Sequence, residues 1–132
     1  MDLEELVEDF EFFDSWEDRY RYLIDLGKKL QPMNPADKTE AHRVRGCTSM
    51  VWVVPRAVDG RLQFDADSDS AIVKGLVAVA HALFFDRTAE EVIAVDVEKV
   101  FARLGLDTHL SANRRNGFQS LVMKLKRFAE SM

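Results

Sequence analysis

The chain has 132 residues, 47% of them hydrophobic and 31% charged, with a net charge of −5. This is the composition of one ordinary globular domain, long enough to bury a core without disulfide or metal staples. No apolar run approaches the roughly 18 residues a membrane helix needs, and a net acidic domain lacks the broad basic footprint of a nucleic-acid binder.

The chain is expected to form a single domain over 1–132, and its acidic start, MDLEELVEDFE, lacks the basic head of a secretory signal. A cytoplasmic location is therefore expected. Leu3, Leu6, Val7 and Phe10 follow helical spacing and predict a short first helix. Ser15 followed by Asp18 resembles a capping box and opens a second helix, whose stripe is Trp16, Tyr20, Leu23, Ile24 and Leu30 and which Pro32 should stop. Residues 31–43 carry two prolines and no period, so they read as an irregular excursion.

The pattern then changes to period 2. Met50-Val-Trp-Val-Val54 is β-branched and aromatic, Asp59-Gly60 is the signal of a type I′ hairpin, and Leu62, Phe64 and Ala66 alternate with polar residues. A strand around Val44 is expected to complete a three-stranded antiparallel sheet. Four helical segments follow. The first begins near residues 68–70 and carries Ile72, Val73, Leu76, Ala80, Leu83 and Phe84. Thr88 with Glu91 forms a capping box for the second, Asp96 caps a third that Gly105 ends, and Asn113 is expected to cap the last. Gly75, inside a helix, points to close packing. Helices on either side of one antiparallel sheet in sequence make an α+β domain, with the helices on one sheet face.

Charge is unevenly spread: nine acids and no Lys or Arg between Asp2 and Asp18, and five bases against one acid from Asn113 onward. Solvated helix faces explain this, and so does a docking surface for a charged partner. The alternating Asp65, Asp67 and Asp69 invite a calcium reading, but the central glycine and terminal glutamate of a calcium loop are missing. Helix capping and the dipole account better for Asp67 and Asp69.

Cys47 is the one cysteine, so no internal disulfide, structural zinc site or iron–sulfur cluster can be built from this chain alone. It lies in His42-Arg43-Val44-Arg45-Gly46-Cys47-Thr48-Ser49, just before the main strand. Arg43, Arg45 and His42 would favour the thiolate, and Gly46 would let a partner approach the sulfur. A lone cysteine is also often a small buried hydrophobe. A Cys–His hydrolase would draw on His42, His81 or His109, and nothing in the sequence singles out a dyad. A peroxide-reducing thiol would want a resolving cysteine, which is absent. Arg114 and Arg115 sit near the start of the last helix, where the dipole favours acids, so an ion-pairing or functional reason is expected for them.

Arg45-Gly46-Cys47-Thr48-Ser49-Met50-Val51-Trp52 resembles the signature of the SufE family of sulfur-acceptor proteins. The resemblance continues through residues 66–76, then Leu104-Gly105-Leu106, His109-Leu110-Ser111, Arg114 and Asn116-Gly117, with Trp16 and Tyr20 also matching. It implies a small α+β fold like that of the iron–sulfur scaffold proteins. It implies that a pyridoxal-phosphate cysteine desulfurase passes sulfur to Cys47 as a persulfide, and that Cys47 hands it to an iron–sulfur assembly scaffold. On this resemblance the chain is a carrier and desulfurase activator rather than an enzyme. The resemblance implies that the chain needs no cofactor, since the pyridoxal group belongs to the partner, and a monomer or weak dimer is expected. Arg114 is implied to lie near the sulfur, and Asp69 on the same surface. Met50 stands where the family often has glutamine, and Ala112 where proline is common. A persulfide needs shelter from reductants, so Cys47 is expected to fold back into an apolar pocket at rest and swing outward on docking. The alternatives are a sibling acceptor serving another desulfurase, and an activator that carries no sulfur.

Overall fold

The computed structural model describes residues 2–46 and 48–132. Helix α1 (Leu3–Phe12) is capped by Asp2, and α2 (Trp16–Lys28) by Ser15. Two 3-10 turns, Pro35–Asp37 and Glu40–His42, fill the excursion before the sheet. Strands β1 (Val51–Val58) and β2 (Arg61–Ser68) form the hairpin, and α3 (Ala71–Phe84) follows. Then come β3 (Arg87–Thr88), α4 (Ala89–Ala94), α5 (Val97–Leu104), α6 (Leu106–His109) and α7 (Ala112–Glu130).

The hairpin turns as Asp59-Gly60 requires, with φ of 52° and 76°. Val51 and Val53 of β1 share the inward face with Leu62, Phe64 and Ala66 of β2, and α3 and α7 close over that face. The core they enclose takes Leu6 and Phe10 from α1, Leu23 from α2, Leu76 and Phe84 from α3, and Leu121 and Leu125 from α7. The α+β architecture expected from the change of period is therefore the one found.

Helices α2 and α3 cross at two glycines. A Cβ on Gly75 would sit 2.4 Å from the Leu23 carbonyl oxygen, and one on Gly27 would sit 2.8 Å from the Gly75 nitrogen. The backbones touch, as Gly75 in a helix suggested.

Several expectations are corrected. The third strand is Arg87–Thr88, paired with Leu62 and Arg61 on the far side of β2, so β2 is central. Val44 does donate its N–H to Val51 O at 2.7 Å, and Arg43 bridges Trp52, but pairing stops there. Gly46, at φ 91°, turns the chain away before a strand can grow. Helix α2 ends at Lys28, ahead of Pro32. Ser111, not Asn113, caps α7, and Ser70, not Asp67 or Asp69, caps α3. The four-residue α6, which begins where left-handed Gly105 ends α5, is too short to show a period in the sequence.

Candidate functional site

Cys47 itself lies outside the described residues, and so do the expectations that it is sheltered at rest and swings outward. Its neighbours on both sides are described. Val44 is buried and tied to β1, and Arg45 and Gly46 follow it into the surface. Gly46 lies against α7: a Cβ there would come 2.9 Å from Ser120 Oγ. Thr48 donates from both its backbone N–H (3.3 Å) and its hydroxyl (3.1 Å) to Asn113 Oδ1, also on α7. Met50 N–H donates to Asp69 Oδ1 at 3.0 Å, while Asp69 N–H returns a bond to Met50 O at 3.2 Å. The residues flanking the cysteine are thus fastened to the first half of α7 and to the β2–α3 junction.

Asn113 reaches the loop because Ser111 has taken the cap, its Oγ accepting from Arg114 N–H at 3.3 Å. Arg114, the next residue along from Asn113, is exposed in the first turn of α7. Its guanidinium makes no hydrogen bond or ion pair with any described residue. Its charge there stands against the helix dipole, which favours acids at a helix start. Arg115 has a structural use: it donates to the Asp107 carbonyl at 3.0 Å.

The arginines before the cysteine are less free. Arg45 pairs with Glu40 at 2.8 Å and Arg43 with the same carboxylate at 3.4 Å. His42 Nδ1 lies 2.7 Å from the Asp37 carbonyl oxygen, within the 3-10 turns. The structure thus brings Arg45, Gly46 and Asp69 to one loop whose far wall is the start of α7, next to Arg114. Sequence reasoning missed Glu40, Ser120 and the role of Asn113. A serine two residues ahead of Asn113 was the one available signal that the asparagine is not needed as a cap.

The three alternating aspartates go to three different partners. Asp65 pairs with Arg56 at 3.1 Å, Asp69 with Met50 N–H, and buried Asp67 with Lys38 (2.9 Å) and Lys74 (3.3 Å). Burial would raise the Asp67 pKa, but Lys38, the Ser68 N–H and Lys74 outweigh it and hold the carboxyl below its ordinary value. Lys38 also lies over the Trp52 ring at 5.5 Å, so this cluster pins the 31–43 excursion to the outer sheet face. Among the described residues no group of three His, Cys, Asp or Glu can hold a metal ion.

Other residues of the motifs meet one another rather than the loop flanks. The His109 ring stacks on Trp16 at 3.9 Å, and Tyr20 donates to the His109 carbonyl. A Cβ on Gly105 would sit 2.7 Å from Trp16. This knot joins α2 to α6 and sets where α7 begins. His81 is half-buried and stacked on Phe85 at 4.2 Å, and burial pushes its pKa below the usual value. Each of the three imidazoles is thus engaged in a local contact of its own.

The chain is thus a small α+β domain in which the residues on both sides of its one cysteine are fastened to the first half of a helix, where the Arg114 guanidinium has no partner among the described residues. The family model described as "SufE: Fe-S metabolism associated domain" matches residues 4–129, and the chain belongs to the SufE family. An uncharacterized SufE-like protein of Rhizobium meliloti (strain 1021) is 42% identical over 132 residues, covering 97% of this chain and 94% of that one. A second, from Rhizobium etli, is 39% identical, with 97% and 89% covered. Among solved structures, the solution structure of a hypothetical protein from Thermus thermophilus superposes with a TM-score of 0.78 at 20% identity, covering 98% of this chain and 96% of that one. That match speaks to the fold. No helix among the described residues is long and apolar enough to cross a membrane.

Proposed function

We propose that this chain is a sulfur carrier that takes a sulfane sulfur from a pyridoxal-phosphate cysteine desulfurase onto Cys47. It then passes that sulfur to an iron–sulfur assembly scaffold. Family membership ties the chain to iron–sulfur metabolism. The observation that carries the finer reading is that Gly46 and Thr48, on either side of Cys47, both rest on the first half of α7, where the Arg114 guanidinium has no partner among the described residues. A cysteine whose two neighbours are fastened in this way suits docking against another protein's sulfur.

The transfer is an exchange at sulfur. Cys47 enters as the thiolate, having released its proton to solvent. Its sulfur attacks the outer sulfur of the desulfurase persulfide, forming a new S–S bond. The bond between that outer sulfur and the desulfurase cysteine breaks, and the electron pair leaves with the desulfurase thiolate. No net oxidation occurs, and the partner is freed for its next turnover. Arg114 carries a fixed positive charge that can steady the anionic persulfide. The pyridoxal cofactor stays with the partner, and this chain acts as its accessory, with no catalytic cycle of its own.

Intact-mass measurement after incubation with cysteine and a desulfurase tests the reading. The wild type gains one sulfur atom, reversibly by reductant, and Cys47→Ser gains none. If Cys47→Ser still stimulates the desulfurase fully, the chain is an activator and the carrier reading fails. Uptake from one desulfurase and none from another assigns the chain to that sulfur pathway.

A further inference from the structure

The sheet has an open edge. Among the described residues β3 pairs only with Arg61 and Leu62, and no other strand lies beside β2 beyond Leu62 on that side. The register fixes which groups point there. Asp86 N–H donates to Leu62 O at 2.6 Å, so Leu62 directs its backbone polar groups away from β1. Alternate residues of an antiparallel strand do the same, which aims the N–H and C=O of Phe64 and Ala66 off the open edge. Both residues are buried, yet among the described residues nothing hydrogen-bonds their backbones on this side. Buried backbone groups without partners are rare and ask for an explanation.

Those two residues line a cavity of about 460 Å³. Its apolar wall comes from α3, where Val77, Ala78 and Ala82 face the strand, and from Leu26 and Leu30 around the end of α2. A second cavity of about 340 Å³ adjoins it and shares His81, Ala82 and Phe85. The linings hold more cations than carboxylates, with Lys29, Arg56, Arg61 and Arg87 against Asp65 and Asp86. Lys29, at the mouth of the first cavity, has no carboxylate within 4 Å among the described residues. Arg61, in the second, donates to the Asp86 carbonyl at 2.9 Å, and its charge helps hold the Glu91 carboxyl below its ordinary value. Arg87 stands 3.9 Å from Glu91.

We infer that this edge is a second docking site, separate from the cysteine loop, for an extended acidic segment of a partner protein that adds as a strand beside β2. Unpaired backbone groups call for another backbone, the apolar wall takes alternate side chains, and the excess of cations over carboxylates along the two cavities selects acids. None of the residues that fasten the Cys47 flanks lines either cavity. The carrier could therefore hold one protein here while its cysteine faces another.

The probe is an acetylated eight-residue peptide alternating aspartate with leucine, titrated into the full chain and followed by amide NMR and hydrogen exchange. The expected result is shifts confined to 62–66, 77–87 and the end of α2, with Phe64 and Ala66 amides newly protected. The same peptide with lysine for aspartate should not bind. Lys29→Glu with Arg61→Glu should weaken binding about tenfold or more. Ala66→Pro removes only an N–H that β1 does not use, so it should abolish binding while the sheet survives. Should that variant fail to fold, the charge pair still decides. Shifts centred on Thr48 and Asn113, equal binding of the lysine peptide, or no binding at millimolar peptide would each overturn the inference. The last outcome would leave the cavity to ordered water.

Discussion

Two glycines in this molecule each forbid a side chain, and they do so for different reasons. At Gly75 the obstacle is backbone: the Leu23 carbonyl stands 2.4 Å from where a Cβ would be, and neither helix can yield without separating from the other. At Gly46 the obstacle is Ser120 Oγ at 2.9 Å, the end of a small side chain that can rotate, together with a φ of 91°. The first glycine serves the fold by bringing α2 onto α3. The second serves the site, turning the chain just before Cys47 and laying it on α7. Both fall in stretches by which the sequence resembles its family, so one resemblance marks two physical roles.

The sharpest way to break the distinction is to add the methyl group at each position. Gly75→Ala should be the most damaging change, costing about 3 kcal/mol or more because two backbones must part. Urea denaturation of the purified chain measures this. A cost near that of an exposed helical Gly→Ala change, which is stabilising, would mean the crossing is not close-packed in solution.

Gly46→Ala should cost less, about 1–2 kcal/mol, chiefly from placing a Cβ-bearing residue at positive φ. Adding Ser120→Ala in the same chain removes the contact and leaves the backbone strain. The double variant should thus recover only part of the loss in the same urea titration. Full recovery would show that the turn tolerates alanine and that the glycine is there only to clear Ser120.

How far each role was visible in the sequence follows from the range of the interaction. Caps and turns were legible because their partners lie within four residues: Ser15, Thr88 with Glu91, Asp96, Gly105 and the Asp59-Gly60 turn all behave as their spacing implies. The third strand was misplaced to Val44 because Arg87–Thr88 is two residues long and carries no alternation. Asp67 and Asp69 were assigned to a cap, although one answers Lys38 and Lys74 and the other the backbone of Met50. The Thr48–Asn113 bond spans 65 residues of sequence, and no local pattern announces it. Cys47, Arg45 and Gly46 could be named from the motif, but that their flanks rest on α7 could not.

The smallest expected effect bears on the site's electrostatics. Arg43 and Arg45 were expected to favour the Cys47 thiolate, yet both point their charge at Glu40. Arg43 is the more sheltered, with its side chain 24% exposed against 71% for Arg45, so solvent screens it less. Glu40→Gln keeps the shape of the side chain and removes its charge, leaving two guanidinium groups uncompensated within a few residues of the cysteine. The thiol pKa should fall, and alkylation by iodoacetamide at pH 7 should speed up about two- to threefold, with little change in the urea midpoint. Arg43→Gln added to Glu40→Gln should reverse most of the gain, and Arg45→Gln less of it. An alkylation rate indifferent to all three would mean that the arginines before the cysteine act on the fold alone. The positive charge serving the sulfur would then have to come from α7, where Arg114 has no acid to answer among the described residues.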